Sequence, residues 1–242
     1  AVSGGVDSMV MAHLFRNSGF KIGVAHCHFG LRKAADEDLA LVKKIAEKWE
    51  VPFYSTQFDT KAYAQERGVS TQMAARELRY SWLETARKEN DYHRIATAHH
   101  KNDNMETVLL NLTKGTGIAG LHGILPKKDK LIRPLLCLSR EEIERFAANE
   151  AIEFRTDESN LQTDYERNRI RLNVIPELEQ LNPALIETVN ANIKRFKDTE
   201  AIFQQGMTYY RKKLLDKRGE DIYIPIRKLV QYEGYRTILY EL

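Results

Sequence analysis

Cysteine is scarce in this 242-residue sequence: Cys27 and Cys137 are its two, and they stand far apart. No CxxC pair exists, which excludes a zinc ribbon or an iron–sulfur cluster held by this chain alone. Long apolar runs are missing too, the longest being far short of the ~20 residues a membrane helix needs. No secretory leader pattern is visible, so a cytoplasmic protein with no membrane association is expected. Net charge is only +3, which selects no partner. Internal repeats and low-complexity tracts are lacking. One further absence raises a sharper question. The chain opens AVSGGVDSMV, a glycine turn flanked by serines, with no lysine in it.

Hydrophobic residues make up 43% and charged ones 29%, enough for a sizeable core and a solvated surface. The length fits one large domain, or one full domain with a smaller one. KIGVAH (21–26), PFYSTQF (52–58) and HRIATAH (93–99) read as short buried strands. AVS reads as the end of a strand that begins before residue 1. Val42, Ile45, Ala46 and Trp49 share one face of a helix that Asp36 could cap. Residues 72–89 follow two candidate N-caps, Ser70 and Thr71, and contain no glycine or proline. This alternation predicts an α/β fold, a doubly wound and mostly parallel sheet with helices on both faces. Ligands in such sheets bind at the carboxyl ends of the strands.

From about residue 114 the texture changes. KGTGIAGLHGILP has four glycines and a proline in thirteen residues, the composition of a long functional loop. After Pro183, apolar residues from Ile186 to Leu214 recur at spacings of three and four, which predicts one long amphipathic helix. A domain boundary is therefore expected near residue 180. It separates a domain over 1–178 from a smaller helical one over 179–242. RTILYEL at the end is apolar and unfinished, so the chain is expected to continue. Between 194 and 218 eight basic residues, Lys212 and Lys213 among them, face three acidic ones. Such a stretch either tracks a phosphate backbone or is a solvated helix face.

The glycine turn has a physical reading. A strand, then Ser3-Gly4-Gly5-Val6-Asp7-Ser8, then a helix points backbone N–H groups and a helix dipole at one spot, an anion site. Gly4 and Gly5 permit close approach, and the Ser3 and Ser8 hydroxyls add donors. Asp7 would repel a bare phosphate, so it makes sense with a divalent cation bridging it to phosphates. Amide dipoles and Mg²⁺ then do the neutralising that a lysine does in a P-loop.

This stretch resembles the SGGxDS signature of the PP-loop ATP pyrophosphatases. Other segments resemble the tRNA(Ile)-lysidine synthetase family within that group. HCHFGLR (26–32) supplies His26, His28, Gly30, Leu31 and Arg32, and RELRY (76–80) matches an R-x-x-R-Y pattern. TAHHKNDNMET (97–107) matches TAHHxDDQxET, with Asn102 and Asn104 as departures. KGTGIAGLHGI, with Lys114 for a usual Arg, RPLL (133–136) and RNRIRLNVIPEL (167–178) complete the order. The resemblance implies that ATP adenylates the wobble cytidine of a CAU anticodon in tRNA(Ile), and that free L-lysine then displaces AMP. It implies ATP held by Ser3, Gly4, Gly5, Val6, Asp7 and Ser8, with Mg²⁺ on Asp7.

Placing 99–112 on a helix would put His99, Asp103 and Glu106 on one face, near the nucleotide. They could bind a metal, move a proton or receive an ammonium group; Asp103 and Glu106 also suit a helix start. The expected catalytic residues are Asp7, His99, Asp103 and Arg171, and the expected lysine receptors Asp103 and Glu106. Asp157 and Glu158 are the alternative lysine pocket. Arg76, Arg79, Arg167, Asn168, Lys212 and Lys213 are expected to meet tRNA. A homodimer is compatible with this reading. The rivals are a PP-loop thiolase using Cys27 and Cys137, and a nucleotide-binding module without chemistry.

Overall fold

The computed structural model describes residues 1–31, 34–156 and 166–242. Helix α1 (Val6–Asn17) leaves the glycine turn, followed by strand β1 (Val24–His28) and helix α2 (Ala35–Lys48). Strand β2 (Phe53–Gln57), helices α3 (Thr60–Arg67) and α4 (Thr71–Glu89), and strand β3 (Ile95–Ala96) come next. Ser70 caps α4 by accepting the Met73 N–H, as the sequence suggests. Asp36 is not a cap. It lies in the first turn of α2 with Glu37 and Asp38, where all three complement the helix dipole.

Strands β1 and β2 pair in parallel, with Val24 opposite Phe53. The stub AVS forms no regular ladder, yet it occupies a strand's place. The Ala1 amine donates to the Ala96 carbonyl (2.7 Å), and the Val2 N–H donates to the Ala25 carbonyl (2.8 Å). Residues 1–2 thus join β1 to β3. Val2, Met9, Val24, Val42, Ile45 and Ala46 pack together beside this junction. An apolar cavity of about 520 Å³ opens at the amino ends of β1 and β3, between Phe20, Ile22, Tyr92 and Ile95. It lies at the opposite end of the sheet from the glycine turn.

Helix α5 (Lys101–Lys114) follows β3, and a short helix α6 (Ile118–Leu121) interrupts the glycine-rich stretch expected to be all loop. Strands β4 (Lys127–Lys128) and β5 (Leu131–Ile132) form a hairpin, and β5 pairs with β3 in parallel. Helix α7 (Arg140–Asn149) packs on α1 through Val6, Val10, Ile143 and Ala147. The arginine-rich segment is helical where described, as α8 (Glu166–Arg169), a π-turn over Ile170–Val174 and α9 (Ile175–Leu181). Pro176 has no N–H to continue a regular ladder there.

Helix α10 (Leu185–Leu214) is the long amphipathic helix, thirty residues or about 45 Å. Its first half packs Leu185, Ile186 and Val189 against Met105, Ile170 and Ile175. Its second half builds a separate cluster, with Met207 and Leu214 against Leu229 and Ile238. The chain closes with β6 (Asp216–Arg218), β7 (Asp221–Tyr223), α11 (Ile226–Leu229) and α12 (Tyr235–Glu241). Among the described residues no helix is long and apolar enough to cross a membrane.

Candidate functional site

The glycine turn is an open helix N-terminus. Gly5 is the N-cap of α1 and offers no side chain to its first-turn N–H groups, so those donors stay available to an anion. Gly4 has φ +95°, a conformation that L side chains rarely adopt. The Ser8 hydroxyl accepts the Ser3 N–H (3.0 Å) and donates to the Gly5 carbonyl (2.9 Å), which holds the loop closed. Ser3 and Ser8 hydroxyls lie 3.2 Å apart on the same side.

Asp7 stands in the first turn of α1, between Arg140 and His100. Its Oδ2 accepts from Arg140 Nη1 at 2.7 Å, and His100 Nε2 is 3.8 Å from Oδ1. Burial raises the Asp7 pKa despite the pull of His100 and Arg140. Oδ1 is buried and has no hydrogen-bond partner among the described residues. An orphaned carboxylate oxygen beside a phosphate-type turn fits a cation that shares its ligands with a phosphate, which is how Mg²⁺ usually binds. No cluster of three metal-ligating side chains occurs among the described residues, and such a site needs none.

Helix α5 begins at Lys101, so His99 lies before it and shares no helical face with Asp103. His100 is the N-cap residue instead. The His100 N–H donates to Asp103 Oδ2 (3.0 Å), and its ring lies 3.5 Å from the same oxygen. His100 thereby bridges Asp7 and Asp103. The sequence signal was the paired His99-His100, but spacing alone favoured the wrong one for this bridge. His99 Nδ1 contacts Thr97 Oγ1 at 3.0 Å. Burial lowers its pKa to about 4 against the pull of Asp103, so it is neutral at pH 7.

Two arginines close the other side. Glu106, 1% exposed, accepts from Arg167 Nε (2.7 Å) and from Arg171 Nε and Nη2 (2.6 and 2.9 Å). Arg167 Nη2 also reaches Asp103 Oδ1 at 3.0 Å. Burial alone would raise the Asp103 pKa, but His100 and Arg167 outweigh it and the pKa falls. Burial works against the Arg171 cation too, yet Glu106 keeps its pKa above the ordinary value. The structure thus brings Asp7, Asp103, Glu106, Arg167 and Arg171 together, with His99 at the edge.

Both asparagines that depart from the TAHHxDDQxET pattern make structural contacts. Asn102 Oδ1 accepts the Arg140 N–H (2.9 Å) at the start of α7. Buried Asn104 accepts the Ile124 N–H (2.6 Å) and donates to Asn190 on α10 (3.3 Å). Arg140 itself was not foreseen. Arg76 and Arg79 sit on α4 against the Tyr80 ring, Asn168 on α8, and Lys212 and Lys213 at the exposed end of α10. Arg32, Asp157 and Glu158 lie outside the described residues. Cys27 is on β1, where burial pushes its thiol up to about 11, and Cys137 is exposed on the 3₁₀ turn Pro134–Cys137. The Cys27 shift runs opposite to that of a reactive thiol.

Residues 1–178 match the PP-loop domain family. A curated tRNA(Ile)-lysidine synthase of Parabacteroides distasonis is 41% identical over the whole chain, which covers 55% of that protein. One of Porphyromonas gingivalis is 39% identical over the whole chain, which covers 53% of it. The chain therefore spans about half the length of the curated relatives it matches. Among solved structures, the U34-tRNA thiolase NcsA of Methanococcus maripaludis superposes with a TM-score of 0.64 at 17% identity, over 80% of this chain and 70% of that one. The NMN synthetase of Francisella tularensis gives 0.51 at 15% identity, over 81% and 84%. At such identities the likeness is one of fold. The α/β domain followed by a helical region is the architecture the sequence predicts.

Proposed function

The chain belongs to the PP-loop domain family, and from that premise we propose that it performs the chemistry of a tRNA(Ile)-lysidine synthase. ATP would adenylate O2 of the wobble cytidine in a CAU anticodon and release pyrophosphate. The ε-amine of free L-lysine would then attack C2 and release AMP. One observation carries the reading. The uncapped glycine turn sets Asp7, with a buried oxygen that has no hydrogen-bond partner among the described residues, one histidine away from Asp103.

The residues divide the work. The turn amides and the Ser3 hydroxyl hold the phosphates, and Ser8, whose one hydroxyl proton goes to the Gly5 carbonyl, shapes the turn that receives them. Asp7 would hold Mg²⁺, which when bound would supply charge neutralisation at the phosphates. Arg167 and Arg171 are paired with carboxylates before substrate arrives. Guanidinium forks also suit phosphate, so an incoming phosphate draws them away and bares Asp103 and Glu106. Those carboxylates then attract the ε-ammonium, which arrives protonated because its pKa is near ~10.4. Asp103, or neutral His99, takes the proton and frees the nucleophile. Lysine binding therefore follows nucleotide or tRNA binding. Arg76, Arg79, Asn168, Lys212 and Lys213 contact tRNA. The reaction belongs in the cytoplasm.

A thiolase reading needs a reactive thiol, and the raised pKa of Cys27 speaks against it. The test is release of AMP and pyrophosphate from ATP by the protein with tRNA(Ile) and lysine. Pyrophosphate release that needs tRNA, with AMP release that needs both tRNA and lysine, supports the reading. Release without tRNA, or none at all, rejects it.

A further inference from the structure

The RPLL stretch plays no part in the reaction above, yet it holds an unusual cation. Arg133 is 7% exposed. Its Nη1 donates to the Leu125 carbonyl at 2.6 Å, while its Nε is buried with no hydrogen-bond partner among the described residues. No ion pair neutralises it among those residues. A buried guanidinium without a counter-charge is costly, so an anion there would be stabilising. The Tyr80 hydroxyl is a second buried group with no hydrogen-bond partner among the described residues.

Arg133 and Tyr80 both line one groove of about 360 Å³ between α4 and the β4–β5 hairpin, with their orphaned donors buried beneath its floor. Arg76 lines it too, with its guanidinium 5.0 Å from the Tyr80 ring centre. Lys128 and Lys130, both exposed, stand on the hairpin wall. Two carboxylates also face the groove, Glu84 and Asp129. Glu84 is already held by Arg87, at 2.7 and 2.8 Å. The balance is positive, and the cations are spread from an exposed wall to a buried floor. A single phosphate would engage one end of such a row. A phosphodiester chain engages both.

We propose that this groove is a phosphate-binding site that takes consecutive phosphodiester groups of the RNA substrate. The site rests on the tRNA reading and adds to it a contact surface on the catalytic domain, away from α10. Lys128 and Lys130 supply charge at the mouth. Arg133 and the Tyr80 hydroxyl donate to a phosphate oxygen at the floor.

The test is a titration of fluorescently labelled tRNA(Ile) with the protein over a range of salt concentrations. Each phosphate contact contributes about 0.7–0.9 to the slope of log affinity against log salt. Lys128→Gln with Lys130→Gln should lower that slope by about one to two and weaken binding about tenfold at low salt. Both lysines are exposed, so the fold is spared. Tyr80→Phe removes one neutral donor and should weaken binding several-fold with the slope unchanged. ATP affinity should stay as in the unaltered protein throughout. An unaltered tRNA slope and affinity in the double variant overturns the proposal. So does a loss of affinity for ATP or inorganic phosphate with tRNA binding intact, which would assign the groove to a free phosphate compound. If the unaltered protein does not bind tRNA, the tRNA reading fails first and the groove's role with it.

Discussion

Replacing Arg171 by glutamine should destabilise the substrate-free protein by about 2–3 kcal/mol. Glu106 is 1% exposed and accepts three hydrogen bonds from two guanidiniums. The substitution removes the two from Arg171, at 2.6 and 2.9 Å. Removing one partner of a fully buried ion pair costs about 3–5 kcal/mol, because the other charge is left uncompensated. Here Arg167 still covers Glu106, and the Arg171 side chain is 35% exposed, so solvent screens part of the pair. Both facts reduce the cost to roughly the lower end of that range or below it. For a chain of this length about 1 kcal/mol corresponds to ~2–4 °C, so Tm should fall by about 4–12 °C. Thermal unfolding without nucleotide is the assay. Glu106→Gln with Arg171→Gln removes the orphaned charge along with its partner, so the double variant should be more stable than the sum of the single losses. A single-variant Tm within about 1 °C of the unaltered protein would refute the clamp, as would strict additivity in the double variant.

Asp7→Asn should abolish AMP formation while leaving Tm equal or higher. Burial raises the Asp7 pKa, so its ionised form costs stability at neutral pH, and that cost disappears in the amide; a folded variant with normal AMP release would remove Asp7 from the nucleotide site. His99 titrates at about 4 in the folded chain against 6.5 when exposed. Between those values the unfolded chain binds a proton that the folded one refuses, so stability falls as pH drops through that window. His99→Asn should flatten this part of a Tm-against-pH curve. Asp103, with its lowered pKa, adds a separate loss only below its ordinary value of 3.8. Asn102→Asp keeps the acceptor for the Arg140 N–H and should leave turnover within a few-fold, whereas Asn102→Ala loses it and should cost about 1 kcal/mol in an unfolding titration.

The glycine turn was legible because its determinants are local: two glycines, two serines and an apolar helix starting at once. Ser70 and a run without breakers made α4 equally plain. The partners of the site residues were not legible. Arg140 meets Asp7 across 133 positions, and Arg167 and Arg171 meet Glu106 across 61 and 65. Nothing in a local pattern encodes such pairings. The histidine that bridges the carboxylates depended on whether α5 starts at 99 or 101. Spacing could not decide that. The structure does, because His100 is held by Asp103 and the Lys101 N–H donates to the Leu138 carbonyl. The short helix α6 was hidden for the opposite reason, since its glycines argue for loop and its contacts with α10 and α5 override them.

The most direct measurement is mass spectrometry of tRNA(Ile) after incubation with the protein, ATP, Mg²⁺ and isotope-labelled lysine. Nuclease digestion before analysis locates the change. The account predicts that the wobble cytidine gains the mass of one labelled lysine less one water, with one AMP and one pyrophosphate released per modified tRNA. It also predicts that Asp103→Asn lowers the yield by about 10²-fold or more, the scale of a positioned acid–base group. An unmodified cytidine, a label found at another nucleotide, or a mass change that reports sulfur in place of oxygen would contradict it.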